Sequence, residues 1–234
     1  MIKTDQIHLP LNLSSKASFE NFFSEGNEAI VSLLSKNAEE PSNKVVYLHG
    51  PRGSGKTHLL SASCQKDTGL VNRPVYVSLQ LDHISPEILS ELDPTGLVCI
   101  DDVELASGDQ SWERALLNLY ESFAFSSGRL LIASLYPPGE VGFNLPDLAT
   151  RFASGGVWSI RRLTETQLPK AISFWAIKGG LEMPESVISY LMRRIKRDPV
   201  TIFSMLDYID RQSISHQRRV TVPFIREVTQ HLQK

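Results

Sequence analysis

The sequence predicts an α/β domain with a five-stranded parallel sheet, followed by a small all-helical domain. Between residues 45 and 160, five short and nearly continuous apolar runs alternate with helical patterns, which is typical of parallel strands covered on both faces. After about residue 162 the strand signals end and helical periodicity continues. The length of 234 residues suits one main domain with a smaller appendage.

The strands are predicted from runs rich in β-branched and other apolar residues. They are VVYLH, PVYVSL, LVCID, LLIASL and VWSI, at 45–49, 74–79, 97–101, 130–135 and 157–160. Helices are predicted within 18–38, at 57–66, 86–92 and 112–126, and then near 165–178, 184–197, 200–215 and 223–232. We therefore divide the chain into an amino-terminal peptide at 1–17, an α/β domain at 18–162 and a helical domain at 163–234.

Composition and charge argue against several classes of protein. The chain has 41% apolar and 21% charged residues and a net charge of −2, which gives no global attraction to nucleic acid or to an anionic membrane. Any contact with DNA is therefore expected to be local or indirect. Two cysteines cannot form a disulfide framework, and the sequence has neither a signal peptide nor an apolar stretch of the roughly 20 residues that a bilayer requires. We expect a cytoplasmic protein without a membrane partner.

The strongest motif is GPRGSGKT, residues 50–57, which matches G-x-x-x-x-G-K-[ST] between a predicted strand and a predicted helix. Its glycines let backbone amides turn toward phosphate oxygens, Lys56 can reach the β and γ phosphates, and Thr57 can bind Mg²⁺. The alternative is a chance glycine turn, and the flanking strand and helix argue against it. The predicted nucleotide contacts here are Gly50, Pro51, Arg52, Gly53, Ser54, Gly55, Lys56, Thr57 and His58.

A second motif, LVCIDD at residues 97–102, ends a buried strand with two acids. Asp101 is expected beside Thr57, where the two would orient Mg²⁺, and Asp102 could polarise the attacking water. Asp102 is one methylene shorter than a glutamate, and a positioning error of about 1 Å can cost roughly 100-fold in rate. Ser134, at the end of the following strand, is a weak polar probe of the γ-phosphate. We therefore predict nucleotide binding and leave hydrolysis open.

The phosphate loop, LVCIDD, the segment LPDLATRF and the helical tail together resemble AAA+ ATPases of the DnaA branch, over essentially the whole chain. The resemblance implies an AAA+ phosphate-loop domain followed by a small all-α lid domain. The sequence lacks the initiator's carboxyl-terminal DNA-reading domain and its long amino-terminal region. For this reason the resemblance favours the regulators of this branch, which inactivate DnaA after replication has started.

The same resemblance implies roles for single residues. Arg151 falls where the family has an arginine finger, which reaches across a subunit interface to the neighbour's γ-phosphate. The alternative is an ordinary surface arginine paired with Asp147. Phe22, Phe23 and Asn27 would lie near the nucleotide base, although paired aromatics before an amphipathic helix are also typical of a hydrophobic staple.

Two positions depart from the family pattern. Val200 stands where relatives carry an arginine that senses nucleotide, and Leu135 stands where relatives tend to have an acid. Both departures put autonomous ATP turnover in doubt and leave nucleotide binding intact.

The opening segment QIHLPL resembles the Gln-Leu-x-Leu-Pro-Leu peptide by which such proteins dock on the sliding clamp of DNA polymerase. Gln6 offers an amide that both donates and accepts, while Ile7, Leu9 and Leu11 offer apolar anchors. Pro10 keeps the segment extended, which lowers the entropy lost on binding. The alternative is a first strand that lies on the domain's own surface.

Together these features imply a regulator that inactivates the replication initiator and prevents re-initiation. It would hold its own nucleotide, ADP or another nucleoside diphosphate in the working state or else ATP, with Mg²⁺. It would reach DNA indirectly through the clamp and stimulate hydrolysis of DnaA-bound ATP through Arg151, with weak or no hydrolysis of its own. Homo-oligomerisation is left open. The alternatives are a self-sufficient ATPase acting as a helicase loader or remodelling factor, and a clamp-anchored adaptor for another replication protein.

Overall fold

The computed structural model describes residues 17–36, 44–66, 73–81, 83–195 and 197–230. The strands are β1 (Val45–His49), β2 (Val75–Ser78), β3 (Leu97–Asp101), β4 (Arg129–Ser134) and β5 (Gly156–Ser159). The helices are α1 (Glu28–Ser35), α2 (Lys56–Lys66), α3 (Gln110–Ala124), α4 (Pro146–Ser154), α5 (Leu168–Lys178), α6 (Glu185–Arg194), α7 (Pro199–His216) and α8 (Val222–Gln230). Short 3₁₀ helices lie at Phe19–Asn21, Pro86–Glu91, Val103–Ala106 and Pro138–Glu140.

The five strands form one parallel sheet in the order β2-β3-β4-β1-β5. This confirms the predicted five-stranded parallel sheet, and each strand lies within one residue of its predicted bounds. Because all strands run the same way, their carboxyl ends meet along one edge. The loop after β1 and the two acids at the end of β3 therefore lie on the same side of the molecule.

Alternate residues of β1 show how the sheet is covered. The ring of Tyr47 faces the layer formed by α3 and α4, and its centroid lies 5.5 Å from that of Phe152. Val46 and Leu48 face the opposite layer, formed by α1 and α2, where they pack near Leu59. Burial on both faces explains why the strand is apolar at successive positions rather than at every second one.

The second domain is helical, as predicted. Helices α5 to α8 pack around their own apolar core, which includes Ile172, Leu206 and Phe224. Arg162 Nη2 lies 2.5 Å from Asp198 Oδ1, and Asp198 also caps α7 by accepting a hydrogen bond of 3.0 Å from the Thr201 amide. This ion pair joins the end of the α/β domain to the start of α7, while a domain boundary at residue 163 stays a prediction.

The structure differs from the sequence-based expectation in local detail. Helix α4 was not predicted as a helix, since it has only nine residues and begins at Pro146. Helix α3 begins two residues before the predicted start because Asp109 caps it, accepting from the amides of Ser111 and Trp112. The segment predicted as a helix at 86–92 forms a 3₁₀ helix instead. None of the helices in the described ranges combines the length and apolarity needed to cross a bilayer.

A buried carboxylate fixes the start of α4. Glu113 of α3 is 0% exposed and accepts hydrogen bonds from three backbone amides. Its Oε1 accepts from Gly108 and Asn144, at 3.0 and 2.9 Å, and its Oε2 accepts from Leu145 at 2.8 Å. Glu113 therefore holds two loops together beneath the helix that carries Arg151.

Replacing Glu113 by Ala leaves three backbone amides without their acceptor, and each such group costs about 1 to 3 kcal/mol where water cannot take the acceptor's place. We expect Glu113→Ala to lower the free energy of unfolding by about 3 kcal/mol or more, as measured by urea denaturation. The matched control is Glu121→Ala, at an exposed position of the same helix, where the change should stay within about 0.5 kcal/mol. Equal losses in the two variants would contradict this account of Glu113.

Candidate functional site

The predicted phosphate loop, residues 50–57, connects β1 to α2 at the carboxyl edge of the sheet. Gly53 and Gly55 have φ angles of +76° and +98°, in the region that favours glycine. A Cβ atom at Gly55 would lie 2.5 Å from Cε2 of Phe22, so the close approach of that ring also requires glycine. The loop is anchored to β4 by a hydrogen bond of 3.2 Å from the Gly50 amide to the Ser134 carbonyl.

Lys56 lies inside this loop and is 8% exposed. Its Nζ donates to the carbonyl oxygens of Gly50 and Pro51, at 2.6 and 3.3 Å. Burial lowers the pKa of Lys56, whereas the charges of Asp101 and Glu104 act in the opposite direction. A buried ammonium is stabilised by an anionic partner, and a phosphate oxygen at the mouth of the loop would be one.

Asp101 is the centre of the polar network, with 1% exposure. Its Oδ2 accepts from the Thr57 hydroxyl at 2.7 Å and from the Tyr76 hydroxyl at 2.9 Å, and its Oδ1 accepts from the Asp102 amide at 3.0 Å. Burial raises the pKa of Asp101, and the neighbouring charge of Asp102 adds to this rise. The structure thus brings together Thr57 and Asp101, the two predicted Mg²⁺ ligands.

The donor types at this point fit magnesium. A hydroxyl and a carboxylate are oxygen ligands of the kind that Mg²⁺ takes, usually completed by phosphate oxygens and water. In the described part of the chain, no group of three or more His, Cys, Asp or Glu side chains could hold a metal ion. With one hydroxyl and one carboxylate from the protein, a Mg²⁺ ion here would take its remaining ligands from phosphate oxygens and water.

Asp102 does not extend freely over the phosphate loop. Its backbone is left-handed, with φ 60° and ψ 38°, and its Oδ2 accepts a hydrogen bond of 3.0 Å from the Ser78 hydroxyl of β2. Ser134 is fully buried and accepts from the Tyr136 amide at 3.2 Å. The described residues that line the cleft beside Lys56 include Leu135 but not Ser134.

Phe22, Phe23, Asn27 and His58 line a second pocket, between the phosphate loop and the helical domain. Phe22 packs against His58 with 5.3 Å between ring centroids, and Phe23 meets Phe174 of α5 edge to face at 5.7 Å. His58 Nε2 donates to the Ser18 carbonyl at 2.9 Å, and burial lowers the pKa of His58. The three residues predicted to lie near the base are therefore brought together with His58.

The amide of Asn27 is used within the protein. Its Nδ2 donates to the carbonyl of Arg161 at 3.0 Å, and its Oδ1 accepts from the amide of Arg161 at 2.9 Å. Asn27 is only 6% exposed. It lines the pocket chiefly by tying the segment before α1 to the connection between β5 and the helical domain.

Val200, at the start of α7, lies where the two pockets meet. Its Cγ2 lies 3.0 Å from the position that a Cβ atom at Gly53 would take, and the residue borders both pockets. The departure noted in the sequence thus falls directly against the phosphate loop. An apolar side chain occupies this point on the helical domain.

Arg151 lies on α4 and does not line either pocket described above. Its side chain is 49% exposed, and its Nε lies 3.8 Å from Asp147 Oδ1. Exposed ion pairs of this kind contribute only about 0 to 1 kcal/mol, so the pair does not hold the guanidinium firmly. The predicted clamp peptide, Gln6, Ile7, Leu9, Pro10 and Leu11, lies outside the described residues.

Sequence reasoning missed Tyr76, Ser78 and Glu104. Tyr76 and Ser78 alternate on β2, so their side chains lie on one face of the strand. This alternation can be read from the sequence, but the sequence does not show that β2 lies next to β3. Glu104 accepts a hydrogen bond of 3.2 Å from the Leu135 amide and is close enough to act on the pKa of Lys56.

Known proteins share this architecture. The family model of the Hda lid domain matches residues 165–229. Domain III of DnaA from Thermotoga maritima superposes with a TM-score of 0.70 and 18% identity, covering 91% of this chain and 95% of that one. AMPPCP-bound DnaA from Aquifex aeolicus gives 0.66 and 23%, covering 85% of this chain and 66% of that one.

The RuvB Holliday junction branch migration motor of Thermotoga maritima gives a TM-score of 0.60 and 17% identity, covering 88% of this chain and 70% of that one. These structural likenesses show the AAA+ fold. This chain spans just under two thirds of the AMPPCP-bound DnaA chain.

The two hydrogen bonds between Asn27 and Arg161 can be tested directly. We expect Asn27→Ala to lower the free energy of unfolding by about 1 to 3 kcal/mol and to speed hydrogen exchange at the Arg161 amide, which loses its acceptor. Asn118→Ala, at an exposed position of α3, is the control and should change neither quantity. Unaltered exchange at Arg161 in the Asn27 variant would show that this tie is unimportant.

Proposed function

We propose that this chain, a DnaA-like AAA+ protein of the Hda type, is a nucleotide-binding regulator that inactivates the initiator DnaA. It docks on the sliding clamp through Gln6 to Leu11 and stimulates hydrolysis of DnaA-bound ATP through Arg151. The ATP that is consumed belongs to the partner. The regulator's own nucleotide sets the geometry of its AAA+ core.

The observation that carries this proposal is a contrast between two regions of the chain. The chain's own cleft has Lys56 and the Thr57 to Asp101 bond of 2.7 Å, which suit nucleotide binding. Its hydrolytic equipment is weak, because Asp102 is hydrogen-bonded to Ser78 and apolar side chains stand at Leu135 and Val200. Arg151, in contrast, is half exposed on α4 and suits a role in a neighbouring molecule.

Nucleotide binding is supported by unsatisfied polarity in the phosphate loop. The Ser54 hydroxyl is buried within this loop and has no hydrogen-bond partner within the described ranges. Thr57 and Asp101 would hold Mg²⁺, which would neutralise phosphate charge. We favour ADP or another nucleoside diphosphate, since Val200 and Leu135 offer no charge to a third phosphate.

The resemblance of residues 6–11 to a clamp-docking peptide supports the tether. The motif ends at Leu11, six residues before the first described residue, Ala17, which is 1% exposed. Through the clamp, the regulator would act only where DNA has been replicated. This restriction gives the timing that an inactivator of initiation needs.

We expect Arg151→Ala to abolish stimulation of ATP hydrolysis by DnaA on clamp-loaded DNA. An arginine finger contributes about 10³ to 10⁵ in comparable systems, so the rate should fall to that of DnaA alone. Arg151→Lys keeps the charge and loses the planar fork, and should restore little. The measurement is single-turnover hydrolysis of ATP bound to DnaA.

The matched control is Arg226→Ala, at an exposed arginine on α8 of the helical domain, which should stimulate normally. Clamp binding by the Arg151 variant should equal that of the unaltered protein, which separates the finger from the tether. Full stimulation by Arg151→Ala would refute the finger.

Replacing Gln6, Leu9 and Leu11 together by Ala should weaken clamp binding at least about tenfold, the scale of losing buried anchors and amide hydrogen bonds. Surface plasmon resonance against immobilised clamp measures this loss. ADP binding should be unaffected, which serves as the folding control. Equal clamp retention by the triple variant would remove the tether from the proposal.

A self-sufficient ATPase, acting as a helicase loader or remodelling factor, is the second candidate. The bond between Thr57 and Asp101 favours it, because this pair suits Mg²⁺-dependent chemistry. Steady ATP turnover by the isolated chain, lost in Lys56→Ala, would support this candidate over the first.

A further inference from the structure

We propose that Tyr76 is a positioning residue that compensates the charge of Asp101, so that nucleotide binding in this cleft depends only weakly on Mg²⁺. The inference rests on the proposed nucleotide site and concerns how that site tolerates an anion beside a buried carboxylate. Tyr76 lies on β2 and lines the phosphate cleft together with Lys56 and Thr57.

The geometry around Asp101 is the starting point. Two hydroxyl groups converge on one carboxylate oxygen: Thr57 at 2.7 Å and Tyr76 at 2.9 Å both donate to Oδ2. The amide of Asp102 donates to the other oxygen at 3.0 Å. Asp101 is 1% exposed, so water contributes little to its solvation. Three hydrogen-bond donors of the protein therefore stabilise this buried negative charge.

The position of the Tyr76 hydroxyl follows from the sheet. Strands β2 and β3 are parallel neighbours, with Tyr76 in register with Cys99 and Ser78 in register with Asp101. Tyr76 and Ser78 share a face of β2. Tyr76 donates to Asp101, the last residue of β3, and Ser78 donates to Asp102, the residue after it. Strand β2, at the edge of the sheet, thus supplies one hydroxyl to each carboxylate, whereas β1, which leads into the phosphate loop, lies on the other side of β3 in the strand order.

A nucleotide phosphate that enters the loop approaches Asp101 as a second anion. In a phosphate-loop site a magnesium ion between the two anions relieves this repulsion. Hydrogen bonds to a charged acceptor are about twice as strong as neutral ones and draw charge from it. Because Tyr76 is an additional donor to the Asp101 carboxylate, the repulsion between this carboxylate and a phosphate depends less on the metal ion.

The test measures ADP affinity of the full chain by isothermal titration calorimetry, in Mg²⁺ and in EDTA. The unaltered protein should lose less than about tenfold in affinity on removal of Mg²⁺, since the protein donors remain. Tyr76→Phe removes only the hydroxyl. Its affinity should fall about tenfold in EDTA, the scale of one hydrogen bond to a charged group, and recover on addition of Mg²⁺.

Tyr120→Phe is the matched control, because it removes a hydroxyl that contacts Ser154 on the surface between α3 and α4. Its Mg²⁺ dependence should equal that of the unaltered protein. A loss in Tyr76→Phe that is the same in both conditions, or no loss in either, overturns the inference. So does a loss of more than about tenfold in the unaltered protein itself, a measurement that needs no variant.

The outcome for the proposed nucleotide site is read separately, from Lys56→Ala in Mg²⁺. Binding that Lys56→Ala abolishes supports the site, whatever Tyr76→Phe does. A lack of ADP binding by the unaltered protein in both conditions overturns the site and this inference together.

Discussion

The hydrogen bond between Thr57 and Asp101 is the interaction on which the rest of the site depends. It joins the loop after β1 to the end of β3, although β4 lies between these two strands in the sheet. A buried carboxylate must be satisfied, and Asp101 is satisfied only when the loop, β3 and β2 are all in place. The polar network therefore depends on several neighbouring parts of the carboxyl edge of the sheet rather than on one motif.

The features that could be predicted from the sequence are those that a contiguous stretch of residues determines. The strands and the phosphate loop are contiguous patterns, and both were predicted within a residue or two. Helix α4 was missed because it is short and its start depends on Glu113, more than thirty residues earlier in the chain. Likewise, Asn27 was expected near the base, but its bonds to Arg161 join residues 134 positions apart, a separation that no local pattern encodes.

The two residues that depart from the family pattern, Val200 and Leu135, line the same cleft in the structure. Val200 packs toward Gly53, and Leu135 lines the same cleft, so both lie close to where a third phosphate would extend. Neither side chain can donate a hydrogen bond or carry charge. Asp102, which could have helped, is drawn toward β2 by Ser78. Under the proposed function, all three features would favour holding a nucleotide without hydrolysing it.

Binding in the second pocket is coupled to the arrangement of the domains, because three parts of the chain form its walls. Phe22 lies over Gly55 of the phosphate loop, His58 is bonded to the Ser18 carbonyl, and Phe23 contacts Phe174 of the helical domain. A ligand that contacts all three walls binds only while they are assembled, and by mass action it stabilises that assembly. The free energy of nucleotide binding would then be available to fix the position of the helical domain against the sheet. Through the bond from His58 to the Ser18 carbonyl, the same ligand would also stabilise the position of Ser18 beside the phosphate loop.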